Sequence, residues 1–83
     1  MKLTPTQFAV LSDAKAGHVY RSERGHDLYD CYDHAQARKK VTAIVERLSA
    51  LGLLRIGESV GMQRPWHVTA QGDQVLSSQK ENP

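Results

Sequence analysis

Between Asp33 and Gly52 the apolar residues Ala37, Val41, Ile44, Val45, Leu48 and Leu51 recur at the spacing of a single helical stripe. This pattern narrows the folds open to the chain more than any other feature. Asp33 reads as a helix cap, and Gly52 sits where a left-handed residue ends a helix. The stripe predicts a helix over 34–51 with one buried side. Gln36, Lys39, Thr42, Ala43 and Glu46 then lie opposite, flanked by Lys40 and Arg47. A helix of this length is marginal in water by itself, so the rest of the chain must supply the surface it packs on.

Thr4-Pro5-Thr6-Gln7 carries the signature of a capping box with proline at the first helical position. It predicts a first helix on which Phe8, Leu11 and Ala14 share a face, with Val10 near its edge and Gly17 at its end. His18 to Ser22 reads as a short strand. Residues 23–33, with Gly25, several acids, Leu28, Tyr29 and Tyr32, read as a loop with one helical turn. After Gly52, Leu53–Ile56 and Trp66–Thr69 read as two strands. The stretch 57–65 between them holds two glycines and a proline, the composition of a long hairpin connection. Thr69 then caps a last helix through Val75 and Leu76, and 77–83 is expected to fray.

The chain has 83 residues, 40% of them hydrophobic and 24% charged, enough for one small core and little concave surface besides. A single domain over 1–83 follows. The lone cysteine, Cys31, has no partner for an internal disulfide. No secretory signal opens the chain, and no apolar run approaches the roughly 20 residues that span a bilayer. A soluble, cytoplasmic protein with no membrane contact is the expectation. The formal charge of +2 is unevenly spread. Residues 13–33 carry five acids (Asp13, Glu23, Asp27, Asp30, Asp33) against Lys15, Arg21 and Arg24, whereas 34–64 carry six bases (Arg38, Lys39, Lys40, Arg47, Arg55, Arg64) against Glu46 and Glu58.

The order of these elements is that of a winged helix. Val45-Glu46-Arg47-Leu48-Ser49-Ala50-Leu51-Gly52-Leu53-Leu54 resembles the end of the recognition helix and the start of the wing in bacterial MarR-like and PadR-like regulators. His67-Val68-Thr69-Ala70-Gln71-Gly72 is similar to the segment by which those families leave the wing, and Thr4 to Leu11 resembles their entry helix. The resemblance implies a mainly α winged helix-turn-helix domain, with three to four helices and a wing of two to three strands. It also implies a transcriptional regulator or accessory factor that binds double-stranded DNA, with helix 34–51 in the major groove and wing 57–65 on the adjacent backbone or minor groove. The side chains it places on DNA are Gln36, Arg38, Lys39, Lys40, Thr42 and Ala43 at the start of that helix, and Arg47 further along. Arg55 and Arg64 would make the wing contacts. Their chemistry suits such a role: glutamine pairs with adenine edges, lysine with guanine or phosphate, and threonine or alanine with a thymine methyl.

Other readings compete with this one. His26, Asp30, Cys31 and His34 are zinc-ligand types close together in sequence, but no paired-cysteine spacing accompanies them, and neither a metal nor another cofactor is expected. Cys31 has no resolving cysteine for redox chemistry. No glycine-rich phosphate loop, H-E-x-x-H pair or nucleophile elbow is present, so an enzyme is not expected. Trp66, Tyr20, Tyr29 and Tyr32 read as packing residues. A winged helix used for protein contacts stands as the alternative, since the acids of 23–33 do not suit a DNA-facing surface. Little chain remains for the long terminal helices that pair the larger regulators, which leaves a monomer, a weak homodimer or a protein partner. No effector pocket is legible in these residues.

Overall fold

The computed structural model describes residues 2–79. The first helix, α1 (Pro5–Lys15), starts as the sequence predicts. The Thr4 hydroxyl accepts the Gln7 N–H at 3.1 Å, and the Gln7 side chain accepts the Thr4 N–H at 3.0 Å. Val10, Leu11 and Ala14 are buried, and the helix stops before Gly17, whose φ of +88° suits glycine. Thr4→Ala removes one of the two reciprocal bonds and is expected to lower stability by about 1 kcal/mol in urea denaturation. An unchanged midpoint would show that water replaces the cap without loss.

Strand β1 (Val19–Ser22) lies at the centre of a five-stranded sheet in which every pairing is antiparallel. On one side it pairs with β2 (Cys31–Asp33), which pairs in turn with β3 (Lys39–Lys40). On its other side it pairs with the first half of β5 (Gln63–Val68), whose second half pairs with β4 (Leu54–Ile56). The spatial order is therefore β3-β2-β1-β5-β4. Helix α2 (Thr42–Ala50) joins β3 to β4, and α3 (Ala70–Gln79) follows β5. The Thr69 hydroxyl caps α3 by accepting the Gly72 N–H at 3.1 Å while donating to the Gly52 carbonyl at 2.7 Å.

All three helices pack on one face of the sheet. Val10, Leu11, Val45, Leu48 and Leu76 from the helices meet Val19, Cys31, Leu54 and Trp66 from the strands in one core. Two links tie the third helix to the N-terminal part of the chain: a Lys15–Asp73 ion pair to α1, and a pair of bonds between the Gln79 amide and the backbone of Leu3, just before α1. Among the described residues no helix is long and apolar enough to cross a membrane.

The architecture corrects the expectation of a mainly α winged helix with two or three wing strands. It is a small α/β domain with three α-helices over a five-stranded antiparallel sheet among its described residues. The expected helix 34–51 is not continuous. Residues His34–Gln36 form a single 3-10 turn, 39–40 a strand, and only Thr42–Ala50 is α-helical. A β-hairpin thus stands in place of the first half of the expected recognition helix and of the turn that would precede it. The reason is burial. Ala37, counted as the top of the stripe, is exposed with φ +58°, and none of residues 34–40 is buried. Upstream of Val41 a helix would have nothing to bury, so strand pairing with β2 satisfies the backbone instead. Residues 77–79, expected to fray, belong to α3, and the remainder of that tail lies outside the described residues.

Candidate nucleic-acid interface

The hairpin β2–β3 gathers the densest basic run of the chain. Tyr32 pairs with Lys40 and Asp33 with Lys39, and the five residues between the strands turn through the 3-10 segment into two consecutive left-handed residues, Ala37 (φ +58°) and Arg38 (φ +60°). Left-handed non-glycine residues cost about 1 kcal/mol or more each and persist only where neighbours hold them. Here the bracing comes from several sides. Asp33 accepts the Ala35 N–H at 2.9 Å, and the Gln36 amide donates to Asp33 at 2.9 Å and to Asp13 of α1 at 3.2 Å. Arg38 Nε donates to the Tyr20 hydroxyl at 3.0 Å, and its guanidinium lies 4.8 Å from the centre of the Tyr32 ring. The His34 ring stacks on Tyr20 at 4.8 Å, and the His34 backbone N–H donates to the His18 carbonyl.

The pairings place Lys40, Tyr32, Tyr20 and Pro65 in one row across four strands. That row lies on the face opposite Val19, Cys31 and Trp66, the side that none of the described α-helices covers. Further along the same face Arg55 of β4 stands opposite His67 of β5, both exposed. The open face therefore carries Arg38 and Lys40 towards one edge and Arg55 at the other, with Lys39 exposed on the edge strand. Asp30, 3.4 Å from Lys40, is the acid that intrudes.

The residues singled out from the sequence divide into those that face solvent and those absorbed by the fold. Arg38, Lys39 and Lys40 are brought together, on a hairpin rather than on a helix. Ala43 and Arg47 are exposed on α2, next to Glu46. Gln36 is committed to the two aspartates, and the Thr42 hydroxyl accepts the Cys31 N–H at 2.9 Å and donates to Asp30 at 3.4 Å. Arg64 is half-buried, its Nε donating to the Gly57 carbonyl at 2.7 Å, so it pins the β4–β5 connection. The sequence reading missed Tyr20, Tyr32 and His34 as the support of the basic turn. Their only signal was that aromatic residues favour strands.

Two titrating groups border this region. Burial first, and contact with the Asp13 carboxyl second, push Asp33 up to about 6, against the opposing pull of the Gln36 amide. Cys31 lies in the core at 1% exposure. Burial pushes its thiol up, only partly countered by the Trp66 indole and Arg21, which keeps it a neutral packing group. His34 is stacked on Tyr20 and Cys31 is turned into the core. Among the described residues no three His, Cys, Asp or Glu side chains stand where they could hold a metal ion.

No protein-family model, curated protein or solved structure matches this chain.

Proposed function

We propose that the protein binds double-stranded DNA through the β2–β3 hairpin, with Arg38, Lys39 and Lys40 as the principal contacts and Arg55 reaching the flanking backbone. The observation that carries this reading is the run of three exposed cations on a turn whose own strained backbone is braced by Tyr20, Tyr32, Asp33 and α1. Such bracing holds charges in fixed positions, as contacts to a fixed phosphate array require. The dimensions agree. The whole sheet is about 19 Å from edge to edge, wider than the roughly 12 Å major groove, whereas two strands about 5 Å apart enter it as a ribbon. Single-strand binding by base stacking is the poorer fit. Tyr20 is 6% exposed beneath its neighbours and the Tyr32 ring already carries the Arg38 guanidinium.

Fluorescence anisotropy of a labelled duplex tests this. With three to four phosphate contacts the slope of log affinity against log salt is about −3, a loss of roughly 60-fold between about 50 and 200 mM. Lys39→Ala with Lys40→Ala removes two contacts and brings the slope to about −1. No binding at low salt, or an unchanged slope in the double variant, would overturn the proposal. The exposed lysines would then serve only to keep an edge strand from pairing with another chain.

A second reading, a protein-contact module, draws on the opposite end of the sheet. Leu28, Tyr29, Val60 and Met62 are 48 to 72% exposed there, on two loops joined by the bond from the Glu23 N–H to the Met62 carbonyl. It predicts binding to partners that is insensitive to the lysine variants and lost when Leu28 and Met62 become serine.

A further inference from the structure

At the end of the sheet away from the basic turn, Leu28, Tyr29, Val60 and Met62 are the large hydrophobic residues left exposed among those described. Their closeness follows from the backbone. The Tyr29 N–H donates to the Ser22 carbonyl at 2.8 Å, and the Glu23 N–H donates to the Met62 carbonyl at 2.9 Å. Tyr29 and Met62 therefore flank residues 22–23 on either side, about 10 Å apart at the usual spacing of strands. Leu28 adjoins the first, and Val60, joined to Gln63 by a pair of backbone bonds, turns back beside the second.

Two of the four are held at a conformational cost. Tyr29 has φ +71° and Met62 φ +68°, in the left-handed region that large side chains rarely enter. The non-glycine residues of this kind among those described fall in two places, the basic turn (Ala37, Arg38) and this end of the sheet. From their fractional exposures the four residues leave about 400–500 Å² of surface in water, an amount that marks an interaction site on so small a chain. The Arg21 guanidinium lies over one face of the Tyr29 ring, so Leu28, Val60 and Met62 are the anchors and Tyr29 stands at their side.

The charges on the two loops select the partner. Arg24 is exposed on the first loop and Glu58 on the second, and neither is in an ion pair among the described residues. Glu23, by contrast, is held by Arg21 at 3.0 Å, and Asp30 stands 3.4 Å from Lys40. An anionic lipid surface calls for surplus cations around an apolar patch, whereas this one has a free cation on one loop and a free anion on the other. Such a surface is complementary to itself. A two-fold axis that lays residues 23–30 of one copy on residues 57–62 of its partner brings each arginine to a glutamate and each Leu28 to a Val60 and a Met62, as an isologous contact requires. Two copies bury about 900 Å² with the apolar residues alone, and the rim brings the total to the roughly 1,000 Å² at which specific interfaces begin.

We propose that the chain forms a two-fold dimer through this patch, with Leu28, Val60 and Met62 at its centre and Arg24 of each copy paired with the partner's Glu58. The proposal takes its surface from the protein-contact reading and names the partner as a second copy of this chain. It stands apart from duplex binding. β2 runs from the patch, at Cys31, to the basic turn that follows Asp33, so both turns remain open in the dimer.

Sedimentation velocity of the whole chain between about 1 and 500 μM tests this. An interface at the lower size limit gives a weak dimer, with an expected dissociation constant of about 10–100 μM. Leu28→Ser with Met62→Ser, both at exposed positions, should leave a folded monomer at every concentration. Arg24→Glu and Glu58→Arg each set like charges together twice in the dimer, and each should weaken association by about tenfold. Arg24→Glu lowers the formal net charge of +2 to zero, so bulk repulsion alone predicts the reverse for that variant. The chain carrying both reversals, or an equimolar mixture of the two single variants, should recover the wild-type constant. Lys39→Ala with Lys40→Ala should dimerise as the wild type does. A dimer that survives the serine pair, reversals that their combination does not rescue, or association lost with the two lysines would overturn the proposal. A wild-type monomer at the highest concentration overturns the dimer alone and leaves the wider protein-contact reading in place, and one that instead binds vesicles of phosphatidylcholine and phosphatidylserine overturns both by giving the patch to lipid.

Discussion

Gly72→Ala is expected to destabilise the domain by about 3 kcal/mol, although alanine favours helices and the position lies within α3. A Cβ built there would stand 2.5 Å from the Leu53 carbonyl oxygen and 2.6 Å from Val68 Cγ1. The carbonyl cannot retreat. The Leu53 carbonyl accepts the Thr69 N–H at 3.0 Å, the Leu53 N–H donates to Leu48 at 3.0 Å, and Leu53 is 1% exposed. Relief therefore requires α3 to lift from the sheet, which also strains the bond between Thr69 and Gly52. A domain of this size has a total stability of roughly 4–12 kcal/mol, so the variant should lose a quarter or more of it and melt about 12 °C or more below the wild type. Gly61→Ala is the comparison. Its φ is +57° but its Cβ meets nothing within 4 Å, so its cost is backbone strain alone, about 1 kcal/mol. Equal melting of the two variants would show that α3 does not seat on Leu53 as described.

The same region shows what a sequence of this kind reveals. The Thr4–Gln7 box, Gly52 after α2, and Thr69 with Gly72 opening α3 were all legible, because each is decided by residues within about four positions of one another. The segment 31–40 was not, because its outcome rests on partners far away in the chain. Asp33 is a strand residue facing the core at 0% exposure, tied through Gln36 to Asp13, twenty positions upstream. A periodicity of apolar residues cannot register a carboxyl that faces inward, so Asp33 read as a helix cap, and in the structure it does cap a turn, by accepting the Ala35 N–H. The candidate interface divides on the same line. Arg38, Lys39 and Lys40 face solvent because long cations rarely do otherwise. Gln36 and Thr42, chosen for their capacity to bond a base, have that capacity taken up inside the fold. The apolar end of the sheet could not be read as a surface at all, since its residues come from two loops that only the pairing of β1 with β5 brings together.

Asp33→Asn is expected to change how stability varies with pH, and the direction follows from the raised carboxyl. In the folded chain Asp33 titrates near 6, against an ordinary value of 3.8. Between those values the folded state holds a proton that the unfolded state has released, so acidification through this window favours folding and a rise in pH opposes it. At neutral pH the buried charge costs the fold on the order of 2–3 kcal/mol, a penalty that fades as pH falls towards 4. Asparagine keeps an oxygen for the Ala35 N–H and supplies an N–H where the proton would sit against Asp13. It gives up the bond from Gln36, worth about 1 kcal/mol. The variant should therefore exceed the wild type by about 1–2 kcal/mol at pH 7.5, and its advantage should vanish on acidification towards pH 4–5. Urea denaturation of both proteins across that range measures the difference, in which the carboxyls that do not touch Asp33 cancel and Asp13, its neighbour, is read together with it. A difference that stays constant with pH would mean that Asp33 is not the group holding the proton. Because Asp33 pairs with Lys39 across the hairpin, the neutral variant also removes a negative charge from beside the basic turn. If that turn meets phosphate, the variant should hold duplex DNA more tightly than the wild type at neutral pH and equally at low pH.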